Sequence, residues 1–191
     1  MTSTSQTNPL DLLRSDVPAW NSQRAKHDSW ALSLVDVDLA GANLAGANLT
    51  GTDLTGADLS GADLTDANLA GANLTSAELV GADLSRADLG GVVAPDANFT
   101  GAFLTRADLR KADLTLAYLT STYLGHADLT GADLSGAYMT GAYLGDADLT
   151  DATLIGAYLG KTNLTGANIA RAVLNGADLT DATMPDGTVP D

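Results

Sequence analysis

From Leu34 to Met184 an apolar residue recurs at every fifth position without a slip in register. Of these 31 positions 26 are Leu, and the others are Ala94, Phe99, Met139, Ile169 and Met184. Two residues earlier the chain usually carries Ala, as in Ala42-Asn43-Leu44, Ala57-Asp58-Leu59 and Ala132-Asp133-Leu134. A helix face recurs about every 3.6 residues and a half-buried strand every 2, so a period of five fits neither. Leucine-rich repeats are excluded too, because their unit is about 20–29 residues with uneven Leu spacing.

The period fits a short extended segment followed by a turn. In the extended part, Ala at i−2 and Leu at i share the inner face, and the residue between them points outward. The remaining two residues turn the chain. Gly is common there (Gly41, Gly46, Gly51, Gly56, Gly61), because such turns often need positive φ. Four sides close one coil, and coils stack like parallel strands about 4.8 Å apart, so residues 32–184 form a rod on the order of 36 Å long. Inward Leu columns fill its interior, and the small inward Ala lets opposite sides approach.

These A-(D/N)-L-x-x units resemble the pentapeptide-repeat family over about four-fifths of the chain. The resemblance implies an all-β solenoid, a right-handed quadrilateral parallel β-helix; the period alone leaves the hand open. Around it we expect a tail over residues 1–7, a short N-terminal α-helical cap over 8–31, the β-helix over 32–184 and a C-terminal tail over 185–191. Asn8-Pro9 reads as an N-cap with Pro at N1. Leu10, Leu13, Val17 and Trp20 fall on one helical stripe, and Pro18 divides it into helices near 9–15 and 18–27. Such a cap would shield the first coil from water. Ala94, within Gly90-Gly91-Val92-Val93-Ala94-Pro95-Asp96, leaves a deficit of volume that Val92 and Phe99 are placed to refill.

The chain has 9 Lys plus Arg against 24 Asp plus Glu, a formal net charge of −15. All of it falls after residue 31, because Arg14, Arg24 and Lys26 balance Asp11, Asp16 and Asp28 in the N-terminal part. That surface repels nucleic acid and anionic membranes and attracts basic partners. There is no Cys, hence no disulfide framework. The chain shows no basic stretch leading into an apolar one at its start and no apolar run of about 18 residues. The expectation is a soluble cytoplasmic protein.

Counting in steps of one coil shows which outward residues stack. Tyr118, Tyr138 and Tyr158 share one side, and Phe103, Tyr123 and Tyr143 share the adjacent side. The two ladders can serve as a partner surface, as a stabilising stack or as a homodimer contact. A third side carries Asp88, Asp108, Asp128 and Asp148, where like charges should repel and raise some pKa values. Beside it runs a corner column of Asp66, Arg86, Arg106, His126 and Asp146, placed to offset part of that charge. The acidic side reads either as repeat consensus or as a phosphate-like strip; carboxylates on a convex side do not converge on a metal ion.

No cofactor is expected, and neither His27 nor His126 has a nucleophile beside it in an evident cleft. The leading expectation is therefore a non-enzymatic scaffold that binds another protein. The family resemblance implies a sharper alternative: a DNA mimic that binds DNA gyrase or topoisomerase IV and protects it from quinolone-like poisons. Quinolone-protection members also tend to dimerise through a C-terminal helix, and no such helix is expected from the residues after Met184. A surface enzyme built on His126, Asp128 and Asp148 is the third possibility.

Overall fold

The computed structural model describes residues 8–26 and 33–190. The expected tail over 1–7, His27 and the end of the 8–31 cap lie outside the described residues. Two helices open the fold, α1 over Pro9–Ser15 and α2 over Val17–Lys26. The side chain of Asn8 accepts the N–H of Leu10 at 3.1 Å and caps α1, as its sequence indicated. The break falls at Asp16, and Pro18 sits inside the first turn of α2, where it displaces no helical hydrogen bond. Asp16 in turn accepts the N–H of Ala19 at 2.9 Å.

The repeats form a four-sided parallel β-helix. Parallel bridges join residues 20 apart on every side, from Ser33–Asp53 to Asn163–Thr183. We name the sides by their outward columns. Side A carries residues 38, 58 and onward to 178, side B 43 to 183, side C 48 to 168, and side D 33 to 173. The inner residues are mostly Leu and Ala at essentially zero exposure through the body of the coil, with Thr52, Thr122, Thr162 and Met139 equally buried among them. Ala94, Val92 and Phe99 are all fully buried, so the Ala94 position is closed over within the core.

Every corner has the same build. The N–H at each i−2 position donates to the carbonyl of the preceding inward residue, as in Ala42 to Leu39 at 3.0 Å and Ala97 to Ala94 at 3.3 Å. The third residue of each turn has positive φ, which with that hydrogen bond defines a type II turn. Many such positions are Gly, but Arg86, Lys111, Leu116, His126 and Lys161 also adopt φ near 60°. The coil imposes that conformation on side chains that ordinarily avoid it.

The cap works through hydrogen bonds as well as burial. Leu13 and Trp20 are wholly buried against the first coil. The indole N–H of Trp20 donates to the carbonyl of Asn48 at 2.9 Å, and Arg14 donates to that of Asp38 at 2.6 Å. Asn21 accepts from the N–H of Asn48 at 2.8 Å and donates to the carbonyl of Gly46 at 2.9 Å, and Arg24 donates to Thr50. The carbonyls of Asp38, Asn48 and Thr50 belong to the type that accepts ladder bonds in later coils, so the cap occupies part of an otherwise open sheet edge. At the other end Ile169, Leu174, Leu179 and Met184 are only partly buried. The chain leaves the coil through Pro185, whose carbonyl accepts from Gly166, and Met184 bonds to Thr188.

Candidate functional site

The outward column is built on one recurring backbone need. Within a repeat, the N–H of residue i bonds to the next coil, that of i+2 does likewise, that of i−1 bonds to the previous coil, and that of i−2 closes the turn. Only the N–H of i+1 is left over. Each outward Asp or Asn from Asp38 to Asp178 accepts that N–H on Oδ1, for example Thr55 to Asp53 at 3.1 Å and Thr130 to Asp128 at 2.9 Å. This is an Asx turn, and Asp and Asn satisfy it equally because both present an oxygen at the same bond distance from the backbone. Where i+1 is Thr or Ser, its hydroxyl often bonds the same oxygen, as in Thr115 to Asp113 at 2.8 Å and Ser135 to Asp133 at 2.6 Å. Glu78 does not make this turn; its longer side chain accepts from Asn98 at 2.8 Å instead. At Val93 and Thr183 the i+1 residue is Pro95 or Pro185, which has no N–H to satisfy.

Six positions in the middle and later coils give up the Asx turn for a ring. Phe103 stacks on Tyr123 with centroids 4.9 Å apart, and Tyr123 on Tyr143 at 5.1 Å, both nearly parallel. On side A, Tyr118 stacks on Tyr138 at 5.0 Å and Tyr138 on Tyr158 at 4.9 Å. The expected ladders are thus present, on adjacent sides, with rings 36–49% exposed. Thr120, Ser121, Thr140 and Gly141 form the corner between them. On the far corner of side A, Leu116 and Ile155 are exposed too, which widens the apolar surface.

The acidic column on side C behaves differently from its sequence expectation. Like-charge repulsion was to raise some of its pKa values, yet Asp108 and Asp148 are both held below the ordinary carboxylate range. For Asp108 the main cause is the hydrogen bond from the Arg110 guanidinium, and for Asp148 the hydroxyl and N–H of Thr150. Arg110 also lies 3.8 Å from Asp128. Its own pKa is raised, chiefly by the hydrogen bond to Asp108. Charge on this side is offset by Arg110, at an i+1 position. In the corner column Arg86 pairs with Asp66 in a two-pronged bond of 2.8 and 2.6 Å, and His126 stands 3.9 Å from Asp146. Both pairs are turned outward into solvent. A matching pair, Arg171 with Asp151 at 2.5 and 2.6 Å, closes the corner between sides C and D.

Sequence reasoning missed both Arg110 and the Asx turns. The available signal was the recurrence of Asp-Leu-Thr, as at 53–55, 63–65, 113–115, 148–150 and 178–180, which is an acceptor followed two residues later by a double donor. His126, Asp128 and Asp148 lie along an exposed corner and side. Among the described residues no group of three or more His, Asp or Glu is arranged to hold a metal ion, and no helix is long and apolar enough to cross a membrane.

Comparison with known proteins agrees with this architecture. A model of pentapeptide repeats matches residues 33–69, 53–91, 87–124, 112–151 and 147–184. Among solved structures, HetL, a pentapeptide repeat protein involved in heterocyst differentiation regulation from the cyanobacterium Nostoc sp. strain PCC 7120, is 29% identical with a TM-score of 0.56. The match covers 88% of this chain and 98% of HetL. QnrB1, a plasmid-mediated fluoroquinolone resistance protein, is 22% identical in one trypsin-treated form, with a TM-score of 0.52. That match covers 78% of this chain and 77% of that one, and at this identity it extends to the fold alone. No curated protein matches the chain. The hand left open by the period is the right-handed one of these quadrilateral β-helices.

Proposed function

Because the chain belongs to the pentapeptide-repeat family, we propose that it is a non-catalytic interaction module that presents a folded surface to another protein. The observation that carries this reading is the pair of ring ladders on sides A and B. An Asx turn costs nothing to keep at those positions, and Asn would suffice. Six exposed aromatics in its place, with Leu116 and Ile155 beside them, gather apolar surface on adjoining sides. Aromatic clusters of this kind supply most of the energy in protein contacts. The interior is occupied by Leu and Ala, which supports a role exercised on the outer sides.

The test is site-specific crosslinking. A photoreactive phenylalanine analogue at Tyr123 or Tyr138 should crosslink a defined protein in cells of the source, and Tyr143→Asn in the same chain should weaken that product. No product from either ring position, with crosslinking intact at a control protein, would remove the reading.

A second reading is favoured by side C. Asp88, Asp108, Asp128 and Asp148 repeat once per coil, about 4.8 Å apart, as phosphate-like charges would for DNA gyrase or topoisomerase IV. Under this reading the protein occupies the DNA-binding surface of the topoisomerase and counters quinolone-like poisons. The Arg110 contacts to Asp108 and Asp128 weaken it, because they neutralise the middle of the strip. A supercoiling assay with purified chain decides it. Neither inhibition of gyrase nor relief of drug-induced cleavage would end the idea.

A further inference from the structure

We propose that two copies of this chain pack side B against side B, antiparallel, about a two-fold axis through Tyr123. This rests on the interaction-module reading and makes the partner a second molecule of the same chain. Tyr123 is the middle ring of the ladder it forms with Phe103 and Tyr143. The axis therefore sets Phe103 of one copy against Tyr143 of the other, and Tyr123 against itself. Such a contact is isologous, the common way in which like chains associate.

The charges on and beside side B select the antiparallel arrangement. On one side of the rings the outward column carries Asp63 and Asp83, and on the other Asn163 and Thr183. Parallel copies would set each aspartate against its own equivalent, whereas the antiparallel axis sets Asp63 against Thr183 and Asp83 against Asn163. The cations on the two edges of side B agree. Height along the rod follows residue number, because each coil rises about 4.8 Å. On the edge shared with side A, Lys161 comes within about 1 Å of the height of Asp83 in the other copy. On the edge shared with side C, Arg106 comes within about 2 Å of the height of Asp146 in the other copy. Lys161 and Arg106 are both exposed, and among the described residues neither has an ion pair within its own chain. Symmetry makes each contact twice, so two chains of net charge −15 meet where opposite charges face one another. Asp113 and Asp133, on side D, lie on the far side of the rod.

The backbone beside this ladder is stripped for contact. Among the described residues the N–H groups of Thr105, Gly125 and Gly145 have no acceptor, because rings stand where the Asx oxygens would be. Gly125 and Gly145 do not have positive φ, and a methyl group added to either meets only a carbonyl oxygen at 3.7 or 3.8 Å. The fold does not require glycine there, and the same corner row carries Thr65, Thr105 and Thr165. A bare corner lets a facing ring come close to the main chain. Across the axis, Tyr123 is within about 1 Å of the height of Gly125, whose N–H its phenol oxygen can accept.

Analytical ultracentrifugation of the full chain tests this. The expected result is a monomer–dimer equilibrium with Kd below about 1 mM, weak because one narrow side is buried. Tyr123→Asn supplies the Asx acceptor that Asn43 and Asn163 supply on the same column, and it should weaken the dimer about tenfold or more. Arg106→Asp and Asp146→Arg should each weaken it about tenfold, and the two together should restore it. Asp66 and Arg86 already hold this corner at positive φ, so both swaps keep the turn. Asp146→Arg separates the explanations, because it reduces the net negative charge and would strengthen an association limited only by general repulsion. A chain that is monomeric at about 1 mM overturns the dimer. So does association that Tyr123→Asn leaves intact, and so does a double swap no tighter than the single ones. In cells, crosslinks from Tyr123 to a different protein alone remove this inference and leave the interaction-module reading in place, whereas no crosslinks from Tyr123 or Tyr138 remove both.

Discussion

Thr150 gives both its backbone N–H and its hydroxyl to one oxygen of Asp148, at 2.9 and 2.5 Å. Asn168, one coil on, accepts the N–H of Ala170 at 3.1 Å and passes its own amide to Thr150 at 2.8 Å. The acidic residue and the neutral one thus do the same work for the backbone. We expect Asp148→Asn to leave stability within about 0.5 kcal/mol, and Asp148→Ala to cost about 1 kcal/mol, the usual cost of losing a side-chain cap. Urea denaturation of the two variants side by side measures the difference.

The core should be intolerant in both directions. Leu124 and Ala127 are fully buried on neighbouring inner positions. Leu124→Ala should lose about 2–5 kcal/mol through lost burial and an unfilled void. Ala127→Leu should lose about 1–3 kcal/mol, because the added methyls must push opposite sides apart. Thermal melts monitored by circular dichroism, with the wild-type chain as reference, would show both.

Gly101 isolates the corner conformation. It has φ +66°, and a methyl group added there meets nothing within 4 Å. Any cost of Gly101→Ala is therefore conformational, and we expect about 1 kcal/mol of destabilisation. An unchanged denaturation midpoint would mean that the coil imposes positive φ without penalty, which the side chains at Arg86, Lys111 and Leu116 make a fair contest.

Trp20 joins burial to an edge hydrogen bond. Trp20→Phe keeps most of the apolar volume and deletes the donor to Asn48. The expected loss is about 1–3 kcal/mol, because the carbonyl is left without its partner in a part-buried place. Amide hydrogen exchange should quicken first at Asn48 and in the coil beneath the cap, while the coils around Leu124 stay protected.

Acid should loosen the outer hydrogen bonds. Asp58, Asp66, Asp108, Asp148, Asp151 and Asp178 all have folded pKa values below the usual carboxylate value. For Asp58 the first cause is the N–H of Ser60, for Asp66, Asp108 and Asp151 an arginine bond, and for Asp148 and Asp178 a threonine hydroxyl. A depressed folded pKa means that the unfolded chain takes up the proton first. The contribution is full above the unfolded value of about 3.9 and is lost as pH falls through the lower folded values. The melting temperature should therefore be level from neutral pH to about 5 and decline below about 4. A melting temperature that rises steadily on acidification would mean that relief of the −15 charge outweighs these bonds.

The register of Leu34 to Met184 determined the four-sided coil, because a period of five allows only an inward pair, an outward residue and a two-residue turn. It also determined the ring ladders, since Tyr118, Tyr138 and Tyr158 stack as soon as one coil is known to be four repeats. The stripe of Leu13 and Trp20 located the cap. Tertiary structure alone decided the rest. The direction of the Asp108 and Asp148 shifts depends on where the Arg110 and Thr150 side chains reach, and reach is a matter of turn geometry that a one-dimensional pattern does not carry. The hand of the coil depends on how successive corners add up in space. The Asx role of the outward column became visible only when every other N–H of the repeat had found its partner in the coil above or below.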